Sequence, residues 1–335
     1  MSDRGKIIDK FLTQHGWVGA TKGYFNSDAS FRRYMRLSKG NKTSVLMDAE
    51  LARETIKPFL KMAKHLSALG YSVPSVIAGD CESGLILMED LGNATFGSLL
   101  KNGKDELALY FLATDLLIDL HKKPLEQTVP KGLPLYDQAL LLGEANLLLE
   151  WFVPAALGNL LPLATTHEYT YLWRIIIDRC TEMPSNLVLR DYHIDNLIHM
   201  EKRVGIDACG LVDFQDAVKG PVTYDLVSLV EDARRDVSVE VGMAVKQRYL
   251  AAFPKLDPEK FELSMAVLGA QRHAKVIGIF TRLCVRDKKP AYLAHIARVW
   301  RLLEESCQHP ELKPIKNWLD IHLPQSLRHN SIELQ

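Results

Sequence analysis

Apolar positions in the first ninety residues change period three times. Ile7, Ile8, Phe11 and Leu12 recur at helical spacing, which predicts a short helix over residues 6–15. From residue 23 to 49 the spacing shortens. Phe31, Met35 and Leu37 stand two or four apart, Lys39-Gly40-Asn41-Lys42 reads as a turn, and residues 43–47 form a β-branched, apolar run. That texture predicts an antiparallel meander. Ile56, Phe59, Leu60, Ala63 and Leu66 restore the helical period over residues 53–69, and Gly70 supplies the stop. Residues 73–78 and 84–88 read as two more short strands.

Beyond Gly92 the helical period dominates. Leu109, Leu112, Ala113, Leu116, Leu117 and Leu120 form a wide apolar stripe over residues 106–121, and residues 138–152, 169–180 and most of 224–318 continue the pattern. Short strand-like runs at 186–188, 197–199 and 210–213 interrupt it. The expected fold is therefore α+β. Residues 1–90 would form a small mixed unit built on an antiparallel sheet, and residues 91–335 a large, mainly helical one.

Charge removes several classes of function. The 41 Lys and Arg balance 41 Asp and Glu, leaving no electrostatic footprint for nucleic acid or an anionic membrane. The five cysteines, Cys81, Cys180, Cys209, Cys284 and Cys307, are scattered without a C-x-x-C pair, as in a reducing cytoplasm. Polar and acidic residues occupy the opening stretch where a signal peptide needs its apolar run. The longest apolar stretch, residues 139–164, is interrupted by Glu144, Asn146 and Glu150 and broken by Pro154 and Pro162. A cytoplasmic monomer without membrane insertion is expected.

The candidate chemistry lies in Leu189-Arg190-Asp191-Tyr192-His193-Ile194-Asp195-Asn196 and, further on, Leu211-Val212-Asp213-Phe214. Asp191 ends a strand-like run and can accept a hydroxyl proton. Asn196 can return across the same loop with a carbonyl oxygen, and Asp213 brings the anionic oxygen that a hard cation such as Mg²⁺ requires. An acid, an asparagine five residues on, and a second acid at a later strand end form the catalytic-loop and metal-acid pair of phosphoryl transfer. Asp191 is the candidate base, and Asn196 with Asp213 the candidate metal ligands.

On these residues the chain resembles the aminoglycoside phosphotransferase and choline kinase family, whose fold is similar to that of protein kinases. The matching core is Arg190-Asp191-x-His193-x-x-Asn196, Val212-Asp213-Phe214, and Gly220-Pro221-x-x-Tyr224-Asp225-Leu226. Within that family, Asp28-Ala29-Ser30-Phe31-Arg32-Arg33-Tyr34, Leu46-Met47-Asp48-Ala49, Leu133-Pro134-Leu135-Tyr136-Asp137 and Gln271-Arg272-His273 are similar to bacterial anomeric kinases of N-acetylmuramate and N-acetylglucosamine. The resemblance implies a two-lobed kinase-like fold, MgATP as phosphoryl donor, and the anomeric hydroxyl of an amino sugar from cell-wall recycling as acceptor. It also implies main-chain contact to the adenine by Glu89 and Leu91, and a bracing role for Asp225. An aminoglycoside or choline-type kinase, or a nucleotide-binding pseudokinase with a regulatory role, are the alternatives.

Three departures from the kinase pattern shape the remaining expectations. Leu189 replaces the histidine before Arg-Asp. The phosphate loop, Asn26-Ser27-Asp28-Ala29-Ser30, lacks glycine but offers backbone N–H groups and the Ser27 and Ser30 hydroxyls to phosphate. The strand that should carry a lysine reads Val45-Leu46-Met47-Asp48. Strand alternation sets Phe31, Arg33, Met35 and Leu37 on one face and Arg32, Tyr34 and Arg36 on the other. If the apolar face covers the adenine, Arg33 takes the lysine's place over the phosphates. The leucine-rich stretch at residues 140–152 reads either as core or as a cap over the acceptor, with Glu144, Glu150 and Trp151 beside it; aromatic faces commonly stack on sugar C–H patches.

Overall fold

The computed structural model describes residues 3–25 and 32–328. Packing divides them into two compact units: residues up to Leu116 with Ile194–Ala217, and Leu117–His193 with residues from Val218 onward. The boundary expected at residue 90 marks the end of the sheet. The packing groups with that sheet a stretch that follows it and a second one from far along the chain.

The first unit opens with α1 (Asp3–Gln14), followed by β1 (Thr21–Tyr24), β2 (Arg33–Lys39), β3 (Lys42–Asp48), α2 (Ile56–Ala68), β4 (Val76–Asp80) and β5 (Leu85–Met88). The strands form one antiparallel sheet in the order β1-β2-β3-β5-β4. The β2–β3 hairpin pairs Lys39 with Lys42. Its two-residue turn works because Gly40 adopts φ 57°, a left-handed value that matches the twist of the strands. Ile8, Phe11 and Leu12 of α1 pack on Met35 and Leu37 of β2, Leu46 of β3, and Leu85 and Leu87 of β5. The apolar face of the sheet is thus spent on α1. Also in this unit are α3 (Phe96–Lys101), the start of α4 (Glu106–Lys122), and the hairpin of β7 (Leu197–His199) with β8 (Cys209–Leu211).

The second unit is built around one long helix. In chain order it holds α5 (Leu125–Thr128), α6 (Gln138–Ala145), a π turn at Leu148–Phe152, α7 (Val153–Leu157), α8 (Leu163–Asp178), β6 (Ser185–Val188), β9 (Val218–Pro221), α9 (Tyr224–Val230), α10 (Val239–Ala252), α11 (Pro258–Val285), α12 (Ile296–Ser306), α13 (Lys313–His322) and α14 (Gln325–Arg328). Asp257 caps α11, accepting from the N–H groups of Glu259 and Lys260. The helix then stays buried for most of its 28 residues, against α6, the π turn, α9 and α12. Strand β6 pairs with β9, a partner not read as a strand from sequence. That pairing brings Asp225, four residues past Pro221, beneath the loop that leaves β6.

Helix α6 continues through the π turn into α7, and this run, Gln138–Leu157, is long and apolar enough to cross a membrane. It contains Glu144, held in a network of buried ion pairs, and it packs on α11, as the core segment of a folded unit does. Glu144, Glu150 and Pro154 lie within the run without ending it; it stops at Gly158, φ 72°, and Pro162 precedes α8.

Candidate active site

Within the first unit a cavity of about 360 Å³ opens between the sheet and the β7–β8 hairpin. Tyr34 and Arg36 of β2, Val45 of β3 and Met88 of β5 line one side, and Asn196, Val212 and Asp213 another. Residues 89–92 close its edge. Here the sheet faces are reversed from the sequence-based choice. Met35 and Leu37 are turned toward α1, so Arg33, on their face, points away from the cavity and is exposed. The corrected face is that of Arg32, Tyr34 and Arg36. Asp48 also turns to α1, where Arg4 holds its carboxylate and the Glu50 N–H donates to it at 3.1 Å. The acid standing at the missing lysine's place therefore does not face the cavity.

Arg32, on that corrected face, stands beside Asp213. Its guanidinium donates to Asp213 Oδ1 at 2.7 Å, and its side chain is only 9% exposed. Gln215 Nε2 donates to the same oxygen at 3.0 Å. Asp213 is held at φ 62°, a conformation that a non-glycine residue keeps only where its surroundings enforce it. Asn196 joins it through the backbone, the Val212 N–H donating to Asn196 O at 3.2 Å. Phe214, next along, stacks on Phe59 of α2 at 5.1 Å, so an aromatic pair ties α2 to this segment. The α2 sequence holds no acid, and no helix-to-lysine ion pair is available for that purpose.

Residues 89–92 are also fixed to β2. Arg36 is ion-paired with Asp90, its Nη2 donating to Oδ1 at 2.7 Å, and the Gly92 N–H donates to the same oxygen at 3.0 Å. Glu89 accepts from Ser75 Oγ at 2.8 Å, and its own N–H donates to Ser75 O. Leu91 is buried against the β7–β8 hairpin near Gly210. Glu89 and Leu91 both line the cavity. Ser27 and Ser30 lie outside the described residues.

The candidate base belongs to the second unit. Asp225, at the start of α9, accepts from the N–H groups of Leu189 at 2.6 Å and Arg190 at 2.9 Å, as its bracing role requires. Burial raises its carboxyl to about 7, against the opposing pull of those two N–H donors. Arg190 takes φ 68° and turns its side chain back over the Tyr136 ring and onto Glu144, while its carbonyl accepts from Arg272 at 3.1 Å. The loop thus presents Asp191 at a sharp bend, with the Asp191 N–H bonded to Leu189 O. Burial works to raise the Asp191 carboxyl, but Arg272 and Lys275, with Arg190, prevail and hold it below the usual carboxylate range. His193 is driven down to about 3, first by burial and then by Arg234, and so stays neutral. His121 is buried as well and bonds Tyr249 at 2.7 Å.

Glu144 belongs to the second unit. Expected beside the acceptor, it is 9% exposed and fully engaged by Lys275 at 2.8 Å, Arg190, the Tyr136 hydroxyl and Gln271. It orients Arg190 and Lys275, which in turn act on Asp191. Trp151 lies half-buried in the π turn, with Phe152 packed edge-on against Trp300 at 5.1 Å. Sequence reasoning missed Arg272 and Lys275 as partners of the base. Their three-residue spacing on one helix was the available signal.

Among the described residues no group of three or more His, Cys, Asp or Glu side chains could hold a metal by itself. Asn196 and Asp213 offer two oxygen donors at one cavity wall, and Arg32 already stands on Asp213 as a cation. That donor set fits Mg²⁺, which commonly takes one or two protein ligands and completes its shell with phosphate and water.

Comparison with known proteins bears on the family and the fold. A family model described as "Phosphotransferase enzyme family" matches residues 24–259. The N-acetylmuramate/N-acetylglucosamine kinase of Caulobacter vibrioides is 33% identical over 98% of this chain and 99% of its own length. The protein of that name from Pseudomonas aeruginosa is 37% identical over 90% of this chain and 88% of its own. Among solved structures, ADP-bound aminoglycoside phosphotransferase APH(2'')-Ib superposes with a TM-score of 0.61 at 16% identity, covering 91% of this chain and 99% of its own. Choline kinase LicA from Streptococcus pneumoniae gives 0.63 at 12% identity, covering 91% and 100%. These two establish a shared kinase-like α+β fold.

Proposed function

Since the chain belongs to the phosphotransferase enzyme family, we propose that it transfers the terminal phosphoryl group of ATP to the anomeric hydroxyl of an amino sugar, N-acetylmuramate or N-acetylglucosamine. The single observation that carries the reading is the cavity wall where Asn196 and Asp213 are joined through the Val212–Asn196 backbone bond and Arg32 supplies positive charge. The acceptor class follows from relatives that share about a third of their residues with this chain along nearly its whole length.

The adenine would occupy the cavity that Val45, Met88, Glu89 and Leu91 line, meeting the backbone of the last two. Asn196 and Asp213 would hold Mg²⁺, whose chemistry is to neutralise charge on the phosphate oxygens. Arg32 then exchanges its Asp213 contact for a phosphate oxygen, doing the work of the absent lysine. The acceptor hydroxyl oxygen attacks the terminal phosphorus; the new O–P bond forms as the bond to the ADP oxygen breaks, and the hydroxyl proton passes to Asp191. A base held ionised by Arg272 and Lys275 orients the hydroxyl from the outset and takes the proton late. A cytoplasmic role in cell-wall recycling accords with such a substrate.

A single-turnover experiment with MgATP and a panel of amino sugars, aminoglycosides and choline tests the proposal. Phosphorylated N-acetylmuramate and N-acetylglucosamine are expected. Transfer only to aminoglycosides or choline, or nucleotide binding without transfer, would overturn it.

A further inference from the structure

Of the buried donor-only atoms in the second unit that lack an acceptor among the described residues, Trp173 Nε1 and Trp300 Nε1 included, two stand on adjoining elements. Trp151 Nε1 and Arg282 Nε are both shut off from solvent with no hydrogen-bond partner among the described residues. Neither atom can accept, so a ligand that completes them must bring acceptor oxygens. They sit on packed elements, the π turn and α11. Gly278 permits that packing: a Cβ there would come within 2.4 Å of the Leu147 backbone. Local π geometry, rare within helices, frequently marks functional sites.

Position along α11 links this pair to the base. Arg272, Lys275, Ile279 and Arg282 follow one another at intervals of three, four and three, which keeps them on one face. Arg272 and Lys275 act on Asp191, and Arg282 lies two turns, about 10 Å, beyond Lys275. Lys275 is neutralised by Glu144 at 2.8 Å. Arg286 is forked by Asp287 at 2.7 and 2.9 Å. Among the described residues Arg282 has no comparable ion pair, although Glu150 and Asp287 are near enough to moderate its charge.

We propose that Arg282 and Trp151 Nε1 form a carboxylate subsite that recognises the acidic substituent of the acceptor sugar. This rests on the amino-sugar reading above and goes beyond it by assigning the residues that separate its two substrates. N-acetylmuramate is N-acetylglucosamine carrying a lactyl ether on O3, which ends in a carboxylate. That group is an acceptor only, matched to an arginine fork and an indole N–H. The moderating acids, Glu150 and Asp287, keep the subsite from demanding an anion, so the uncharged sugar still enters.

Steady-state kinetics with N-acetylmuramate, its methyl ester and N-acetylglucosamine test the subsite. With the wild-type enzyme, KM for the free acid should lie about 10- to 100-fold below that for the ester, and the ester should resemble N-acetylglucosamine. Arg282→Gln should raise KM for the acid to that of the ester, leaving kcat for all three sugars and KM for N-acetylglucosamine within about twofold. Arg282→Lys should recover part of the loss. Quenching of tryptophan fluorescence by the acid, without nucleotide, should weaken in parallel. Equal KM for acid and ester in the wild type, or equal losses for both sugars in Arg282→Gln, would overturn the subsite while leaving the kinase reading intact. Failure of the wild type to phosphorylate any of the three would overturn both.

Discussion

Replacing Arg32 by alanine tests how this phosphotransferase manages without the small-unit lysine. The Arg32 guanidinium stands 2.7 Å from Asp213 Oδ1, with exposures of 9% for the arginine side chain and 33% for the aspartate. A hydrogen bond to a charged group in such a half-buried setting is worth about 1.5–3 kcal/mol. If that interaction passes to a phosphate oxygen in the transition state, its loss lowers kcat/KM for MgATP by about 10- to 150-fold. Arg33→Ala is the internal control, because Arg33 is exposed on the opposite face; its effect should stay within about 0.5 kcal/mol, or roughly twofold. Arg36→Ala frees Asp90 and loosens residues 89–92, so it should raise KM for ATP more than it lowers kcat. Steady-state kinetics at saturating sugar, with ATP binding measured by calorimetry, separates the three variants. An Arg32→Ala enzyme indistinguishable from Arg33→Ala would refute the reasoning and leave the phosphate charge to Mg²⁺ and backbone N–H groups.

Three further outcomes are expected. Asp191→Asn should keep MgATP affinity within about twofold and lower kcat at least roughly a hundredfold; near wild-type turnover would remove Asp191 as the base. Gly278→Ala should destabilise the enzyme by about 1–3 kcal/mol in denaturant unfolding, since its Cβ would come within 2.4 Å of the Leu147 backbone; an unchanged midpoint would contradict that packing. Asp225 carries a carboxyl raised from 3.8 to about 7 by burial, so its contribution favours the folded state fully below the lower value and is lost as pH rises through the higher one. The stability of the wild type relative to Asp225→Asn should therefore fall with pH between about 5 and 7, by at most about 1.4 kcal/mol per pH unit, and a flat difference would contradict the raised value.

Local signals in the sequence were sufficient for most of the elements and marked the loop that holds the candidate chemistry. Gly40 set the hairpin, the apolar spacing set α1 and α2, and the spacing of Asp191, Asn196 and Asp213 was readable as a phosphoryl-transfer kit. Which face of β2 meets the cavity was not readable. Alternation supplies two faces, and only the docking of α1 on Met35, Leu37 and Leu46 decides between them. The same long-range fact turned Asp48 away from the cavity and replaced Arg33 by Arg32. The partners of Glu144 were out of reach for a related reason: Arg190 and Lys275, which converge on it, lie 46 and 131 residues further on. Strand β9 escaped notice because Val218-Lys219-Gly220-Pro221 is too short to show a period, and its pairing with β6 is tertiary. Asp225, in contrast, was legible through its place in the Gly-Pro-x-x-Tyr-Asp motif.

The position of the transferred phosphate tests the central claim most directly. The products formed from N-acetylglucosamine and N-acetylmuramate with MgATP can be read by proton–phosphorus correlation NMR. The account predicts a phosphorus signal coupled to the anomeric proton in each product, lost in the Asp191→Asn enzyme under the same conditions. A phosphorus coupled instead to the C6 protons, or a product formed equally well by that variant, would contradict it.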